Sequence, residues 1–313
     1  MTLRETYVSS MKVVVGGITT NRGNGGRMNS DEKIAIEKSR EYIVSKSNQI
    51  VQKSRYDFTL AEQRTIAFIC SKIKPIEALD RAKGTPFQLE YEFNILDYVR
   101  TCGLQDNGKL YEEVKATLKN LSDKSMWLQQ EDGSEVLVRW LAKVRTNKRS
   151  GIAKIKIDED LAPYLFDLKE KFLSYGLKNI LNMKSQYSIR LYELLKSYYD
   201  MKVGQTDRRK PSEKSYKPKK ISWTVELEEF KKLLMVDTVK SYARYPSFRQ
   251  KVLDVAQKEI NELTDINVYF EQITKGRKVI KLKIDIVAKL PMEKMLTSCH
   301  NDELLGAYQD TFG

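Results

Sequence analysis

Residues 87–104, FQLEYEFNILDYVRTCGL, and residues 219–236, KKISWTVELEEFKKLLMV, share one pattern with almost no identity. In the first, Leu89, Tyr91 and Phe93 alternate with polar residues, the spacing of a half-buried strand. In the second, Ile221, Trp223 and Val225 fall at the same places. Ile95 and Val99 then align with Leu227 and Lys231, and Leu104 with Val236. Each stretch is followed by a long amphipathic helix and then by a β-hairpin pattern. The chain is therefore expected to contain two copies of one unit.

Working outward from the first copy, Thr59 and Glu62 fit a capping box that starts a helix at Leu60. Ile66, Ile69, Cys70 and Ile73 share one face of it, and Pro75 ends it. Asn94 is placed to cap a short helix over 95–101, Gly103 to close it, and Asn107-Gly108 to turn the chain. Leu110, Val114, Leu118 and Leu121 stripe a longer helix. Strands are predicted over 125–129, 136–146 and 152–157, with a basic tip at 147–151. In the second copy a helix over 184–201 aligns Ile189, Tyr192, Leu195 and Tyr199. A loop over 202–220, with eight basic and two acidic residues, precedes the strand and a helix over 227–234. Pro246 opens a long helix that faces Phe248, Val252, Ala256, Ile260 and Leu263 inward, and Asp265 ends it. Strands over 266–272 and 278–287 flank the turn at 274–277.

Helix, strand, short helix, longer helix and two-stranded ribbon is the order of a winged helix. The expected fold class is α+β, with two tandem winged-helix domains. The reading divides the chain into a flexible segment over 1–40, a first domain over 41–166, a second over 167–290 and a tail over 291–313. Within 1–30 a short strand over 12–15 is the one element expected, and the glycine run 23–26 reads as linker.

Composition narrows the chemistry. The 313 residues carry 55 Lys and Arg against 42 Asp and Glu, a formal charge of +13. Such an excess is the electrostatic footprint of a polyanion partner; plain solubility is the other reading. The three cysteines, Cys70, Cys102 and Cys299, form no C-x-x-C pair, against a disulfide framework or zinc ribbon. His300 is the only histidine, too few for a histidine-clustered metal nuclease. No P-loop motif is present. No catalytic residue, cofactor or metal is therefore expected. No apolar run reaches 18 residues and no secretory h-region is present, so no membrane is expected and the chain is placed in the cytoplasm.

The second half resembles the initiator Rep family, the replication initiators of iteron-containing plasmids. The stretches that carry the resemblance are SQYSIRLYELLK (185–196), YPSFRQKVLD (245–254), AQKEIN (256–261), TDI (264–266) and KGRK (275–278). The first half matches more loosely, through KSNQI (46–50) and FTLAEQR (58–64). The resemblance spans about 43–288. It implies a first domain linked to dimerisation and DNA contact, and a second that is the main reader of iterons. It also implies monomers that activate replication and a homodimer that represses its own gene at an inverted repeat. Origin opening would involve the host initiator and the replicative helicase. A tandem winged-helix transcription regulator with no replication role is the alternative.

Candidate DNA contacts follow from the pattern. The outward face of the helix after Pro246 offers Arg249, Gln250, Lys251, Asp254, Gln257 and Lys258. Arg and Lys donate to guanine and Gln pairs with adenine in the major groove. Lys275, Arg277 and Lys278 put three cations on a turn where Gly276 supplies a positive φ. Arg145, Lys148 and Arg149 make the parallel case in the first domain. Arg190 is placed to hold a phosphate or to pair with Glu193 or another acid. Ser185 and Ser188 are placed to cap their helix or to donate to a phosphate. Trp127, Trp140 and Trp223 sit in strand patterns and are expected in cores. With cations on two helices, two wings and a loop, many phosphates are neutralised, each steepening the log–log salt slope of duplex binding by about 0.9. A titration on the cognate repeat is expected to give a slope of magnitude at least about 5; a slope near 1 rules out contact by both domains.

Overall fold

The computed structural model describes residues 30–74, 83–84, 86–104, 108–130, 132–168, 172–206 and 219–310. The expected strand over 12–15, the glycine run 23–26, Pro75, Asn107 and most of the basic loop lie outside these residues.

The chain opens with α1 (Ser30–Arg40), β1 (Ile43–Ser47), α2 (Asn48–Lys53) and β2 (Ser54–Arg55). α3 (Leu60–Lys72) starts at the expected reciprocal cap. Thr59 N–H donates to Glu62 Oε2 at 2.8 Å, and Glu62 N–H to Thr59 Oγ1 at 3.3 Å. Next come β3 (Glu90–Asn94), α4 (Ile95–Thr101), α5 (Leu110–Asp123), β4 (Ser125–Gln129), β5 (Glu135–Arg139), β6 (Leu141–Asn147) and β7 (Ile152–Ile157). α6 (Pro163–Phe166), β8 (Phe172–Gly176) and α7 (Lys178–Leu181) lead into α8 (Gln186–Thr206). The second copy holds β9 (Lys220–Glu226), α9 (Leu227–Leu233), α10 (Tyr245–Phe248), a π-helical turn (Arg249–Leu253) and α11 (Asp254–Leu263). β10 (Ile266–Lys275), β11 (Lys278–Ala288) and α12 (Pro291–Asp310) complete it.

The two copies share one order of elements and one offset at the strand-to-helix turn. β3 passes into α4 at Asn94/Ile95, and β9 into α9 at Glu226/Leu227, the offset of the sequence alignment. The sheets have the same order, β3-β7-β6 and β9-β11-β10. In each, the strand before the short helix pairs antiparallel with the last strand of the hairpin. The helix ends correspond too. Leu104 N–H donates to Val99 O at 2.9 Å, and Val236 N–H to Lys231 O at 3.0 Å. Both close a six-to-one C-cap around a left-handed residue. That residue is Gly103 at φ 61° in one copy and Met235 at φ 56° in the other.

The structure departs from the sequence reading in four places. The strand expected over 136–146 is two strands, broken at Trp140. β5 joins the sheet β2-β4-β5 and β6 joins β3-β7-β6. A straight strand sends alternate residues to opposite faces, so it cannot bury Val138, Trp140 and Leu141 together; the break buries all three. α1 occupies the end of the segment read as flexible. Its Ser39 shares a hydrogen bond with Thr101, and Arg40 donates to the carbonyls of Arg100 and Thr101. The tail is α12, whose buried Asn301 donates to Leu263 O at 2.8 Å. The 166/167 division is crossed by pairing, since β8 lies antiparallel to β1.

α8 is the shared element. Every residue from 188 to 197 is buried, as in a helix packed on all sides. It packs on α2, α3 and β8 on one side and on α11 on the other. The buried apolar residues of both copies thus form one continuous core.

Met235 offers a direct check of the duplicated cap. A β-carbon in the left-handed region is strained and glycine is not. Met235→Gly is expected to stabilise the protein by about 0.5–1 kcal/mol, read as a higher urea midpoint. Gly103→Met is expected to lower it.

Candidate nucleic-acid interface

The helix formed by α10, the π turn and α11 is anchored through Phe248, Val252, Leu253, Ala256 and Ile260, all buried. The π turn widens the coil, so adjacent Val252 and Leu253 both face the core. Pro246 sits in the first turn, where its missing N–H is harmless. The opposite face presents Gln250, Lys251, Asp254 and Lys258 to solvent. Arg249 is half-buried and its Nε lies 3.3 Å from Asp254 Oδ1.

Gln257 and Asn261 tie this helix to the wing. Gln257 Oε1 accepts from Phe270 N–H at 3.3 Å. Asn261 accepts from Val268 N–H at 2.7 Å and donates to Val268 O at 3.1 Å. These bonds join the helix to β10. Buried Lys231 secures the helix start, donating to Ala243 O at 3.4 Å. The wing tip is a two-residue turn, Gly276–Arg277, between paired Lys275 and Lys278. Gly276 has φ 61°, the positive value a glycine-first hairpin turn requires. Lys275, Arg277 and Lys278 are all exposed.

In the first copy α5 buries Leu110, Val114, Leu118 and Leu121 as the stripe requires. Its outer face opens with Glu112 and Glu113 in the first turn. Arg145, Lys148 and Arg149 are exposed on β6 and the wing tip. Lys148 is partly compensated, 3.3 Å from Glu112 Oε1.

Three candidates stand elsewhere. Arg190 is 5% exposed, so a phosphate cannot reach it. It does not pair with Glu193 either; all four of its acceptors are neutral oxygens. Glu193 instead accepts from Lys46 and Tyr175. Ser188 is fully buried. Ser185 is half-buried and caps α8, its Oγ accepting from Tyr187 N–H at 3.2 Å. Phosphate contact fails for Arg190 and Ser188 because burial removes them from any ligand. Trp140 is core, and Trp223 stacks on Tyr198 with centroids 4.4 Å apart. Trp127, expected in a core, is 53% exposed. Its strand has only one buried face, and it points outward.

Burial pushes the thiols of Cys70 and Cys102 up to about 12. Cys299 and His300 are exposed on α12. Among the described residues no cluster of three or more metal-ligating side chains occurs, and no helix is long and apolar enough to cross a membrane.

Two family models match this chain. "Initiator Replication protein, WH1" covers residues 43–196 and "Initiator Rep protein, WH2" covers 226–286. The chain belongs to the initiator Rep protein family. It is a replication initiator with two winged-helix domains. It is similar to a "Replication initiation protein" of Escherichia coli, 24% identical over 84% of this chain and 75% of the relative. It is also similar to the "PI protein" of Escherichia coli, 24% identical over 78% of this chain and 84% of the relative. Among solved structures, a Pi initiator protein in complex with iteron DNA matches with a TM-score of 0.57 and 21% identity. The match covers 80% of this chain and 98% of that one. That likeness carries the fold.

In this initiator, α1 and α12 lie outside the two matched stretches. The residues that sequence reasoning missed are the supporting ones, Lys231 and Asn261. A polar residue beside an apolar helix face was the only signal, and it is shared by many solvated positions.

Proposed function

We propose that this initiator binds the iterons of a plasmid origin as duplex DNA and promotes opening of the origin. The observation that carries the reading is the α10–α11 face, free of core duties and locked to a cation-tipped wing, in a chain of this family. The solved relative of the same fold is an initiator bound to iteron DNA. A regulator with no replication role is the weaker reading, since a curated relative is named for replication initiation.

In this reading Arg249, Gln250, Lys251, Asp254 and Lys258 face the bases, while Gln257 is taken up by its bond to the wing. Lys275, Arg277 and Lys278 hold phosphates, as do Arg145, Lys148 and Arg149 in the first domain. The second domain is the main reader. Glu112 and Glu113 repel phosphates where the first turn of α5 would enter a groove, whereas the first acid on the second domain's helix is Asp254. The chain works as a binding protein rather than an enzyme, in the cytoplasm where plasmid DNA resides. The host initiator and replicative helicase are the partners the family resemblance implies.

A homodimer that represses its own gene is the second part of the proposal. Leu141 on β6 is 1% exposed and belongs to the core, so it offers no interface. The exposed apolar pair is Trp127 with Leu137, cross-strand partners and half exposed. Leu137 lies on β5, an edge of the sheet β2-β4-β5. An edge strand with an apolar outer face is a template for pairing with another chain.

Two outcomes check these readings. Arg249→Ala and Lys251→Ala are each expected to lose about 1–3 kcal/mol of discrimination between cognate and scrambled duplex. Lys275→Ala is expected to weaken both duplexes alike; equal loss in the helix variants would make them phosphate anchors. Leu137→Lys is expected to give a folded monomer in sedimentation that keeps single-repeat binding and loses the inverted repeat. A wild type that stays monomeric at micromolar concentration would remove the dimer.

A further inference from the structure

α8 buries three charged side chains on successive turns. Glu193 faces the first domain, accepting from Lys46 and from Tyr175. Lys196 lies 2.6 Å from Asp200 and 3.6 Å from Asp265, on the second-domain side. Arg190 reaches both sides.

The Arg190 Nη1 donates to Val51 O at 2.8 Å and to Tyr56 Oη at 2.9 Å. Its Nη2 donates to Ser54 O at 3.0 Å and to Leu233 O at 3.4 Å. The guanidinium carbon stands 4.5 Å from the centroid of the Tyr56 ring. Val51 lies in the last turn of α2, Ser54 is its C-cap, and Leu233 is the last residue of α9. The last four carbonyls of a helix have no partner within it and carry partial negative charge. One guanidinium therefore caps the C-terminal ends of two helices, one from each domain. Only a planar fork of donors serves acceptors in such different directions; a lysine ammonium on the same stem does not. α9 leads through the Met235 cap toward the recognition helix, so the bond to Leu233 bears on how that helix is aimed.

We propose that Arg190 is the positioning residue that sets the angle between the two DNA-reading domains. Two linked readers gain from each other on one duplex only when their geometry lets both engage. Arg190 holds that geometry before DNA arrives. The proposal rests on the reading that both domains engage one duplex.

The test measures the angle without DNA. Spin labels are placed at Ser150→Cys and Thr274→Cys, near the two wing tips, in the full chain carrying Cys299→Ser. Cys70 and Cys102 are buried and stay unlabelled. The parent is expected to show one narrow inter-wing distance. Arg190→Lys and Arg190→Met are expected to fold cooperatively and to show a broad distribution. Their binding to the origin repeat is expected to fall about tenfold or more through lost effective concentration. Lys, which keeps the charge without the fork, is expected not to rescue.

A narrow parental distance in Arg190→Lys overturns the proposal whatever the DNA result. A broad distribution in the parent does so too, as does broadening with unchanged origin binding. If Arg190→Met does not fold, Tyr56→Phe, which removes one acceptor and keeps the ring, takes its place and is expected to broaden the distance. Loss of folding in all three variants overturns it in favour of plain core support. If iteron binding is absent altogether, the inter-wing distances still decide the proposal.

Discussion

A helix packed on every side cannot send its charges to water, and over residues 188–197 α8 is such a helix. Removing one partner of a buried ion leaves an uncompensated charge, a loss of about 3–5 kcal/mol. α8 therefore needs its partners in place, and they come from both domains. Burial pulls the Lys46 ammonium down, but Glu193, together with Tyr56 and Cys70, outweighs it and holds the group above its ordinary value. On the other side Tyr192 donates to Asp265 at 2.8 Å. Glu259 of α11 accepts from the backbone of Lys184 and Ser185 just before α8 begins. These bonds to α8 also place elements of both readers. The recognition helix is thus fixed to a spine that also belongs to the first domain.

The duplicated unit has diverged where its tasks differ. The turn from strand to short helix is kept in both copies, down to the left-handed residue at the C-cap. Val99 of the first copy is core, whereas Lys231 at the matching position is buried with its ammonium directed to the start of the recognition helix. Asn94 caps α4 with its side chain and Glu226 makes no such bond to α9. The outer sheet faces differ as well. In the second domain Lys281, Lys283 and Lys220 each face a carboxylate across strands. In the first, Lys154 also faces a carboxylate, Glu92, across strands at 2.7 Å, but Lys143 and Arg145 on the other neighbour lie opposite Lys156 and Lys154. Like charges across strands weaken a sheet, and Glu92 offsets part of that repulsion.

Alternation, capping and helical stripes were legible because each depends on neighbours within a few residues. Thr59 with Glu62, Asn94 before Ile95, and the stripe from Leu110 to Leu121 were all readable in this way. So was the recognition helix, whose inner face from Phe248 to Ile260 follows from spacing alone. The pairing of β1 with β8 was not readable. It joins residues far apart in the chain, and neither strand carries a strong alternation. The π turn was also hidden, because a run with Val252 and Leu253 adjacent reads as an ordinary helix.

The sequence by itself determined the duplicated unit, the winged-helix order, the basic balance and the outward face that presents Lys251 and Lys258. These rest on local periodicity and on counted charge, which a chain carries before it folds. Only the tertiary structure decided which charges are available to a partner. Arg190 and Lys251 are equally cationic as residues, yet one is enclosed by carbonyls of two domains and the other stands in solvent. The strand through Trp140 divides for a related reason, since a straight strand sends Val138 and Trp140 to one face and Leu141 to the other. Burial of a charged side chain is a property of the assembled neighbours, and no spacing along the chain encodes it.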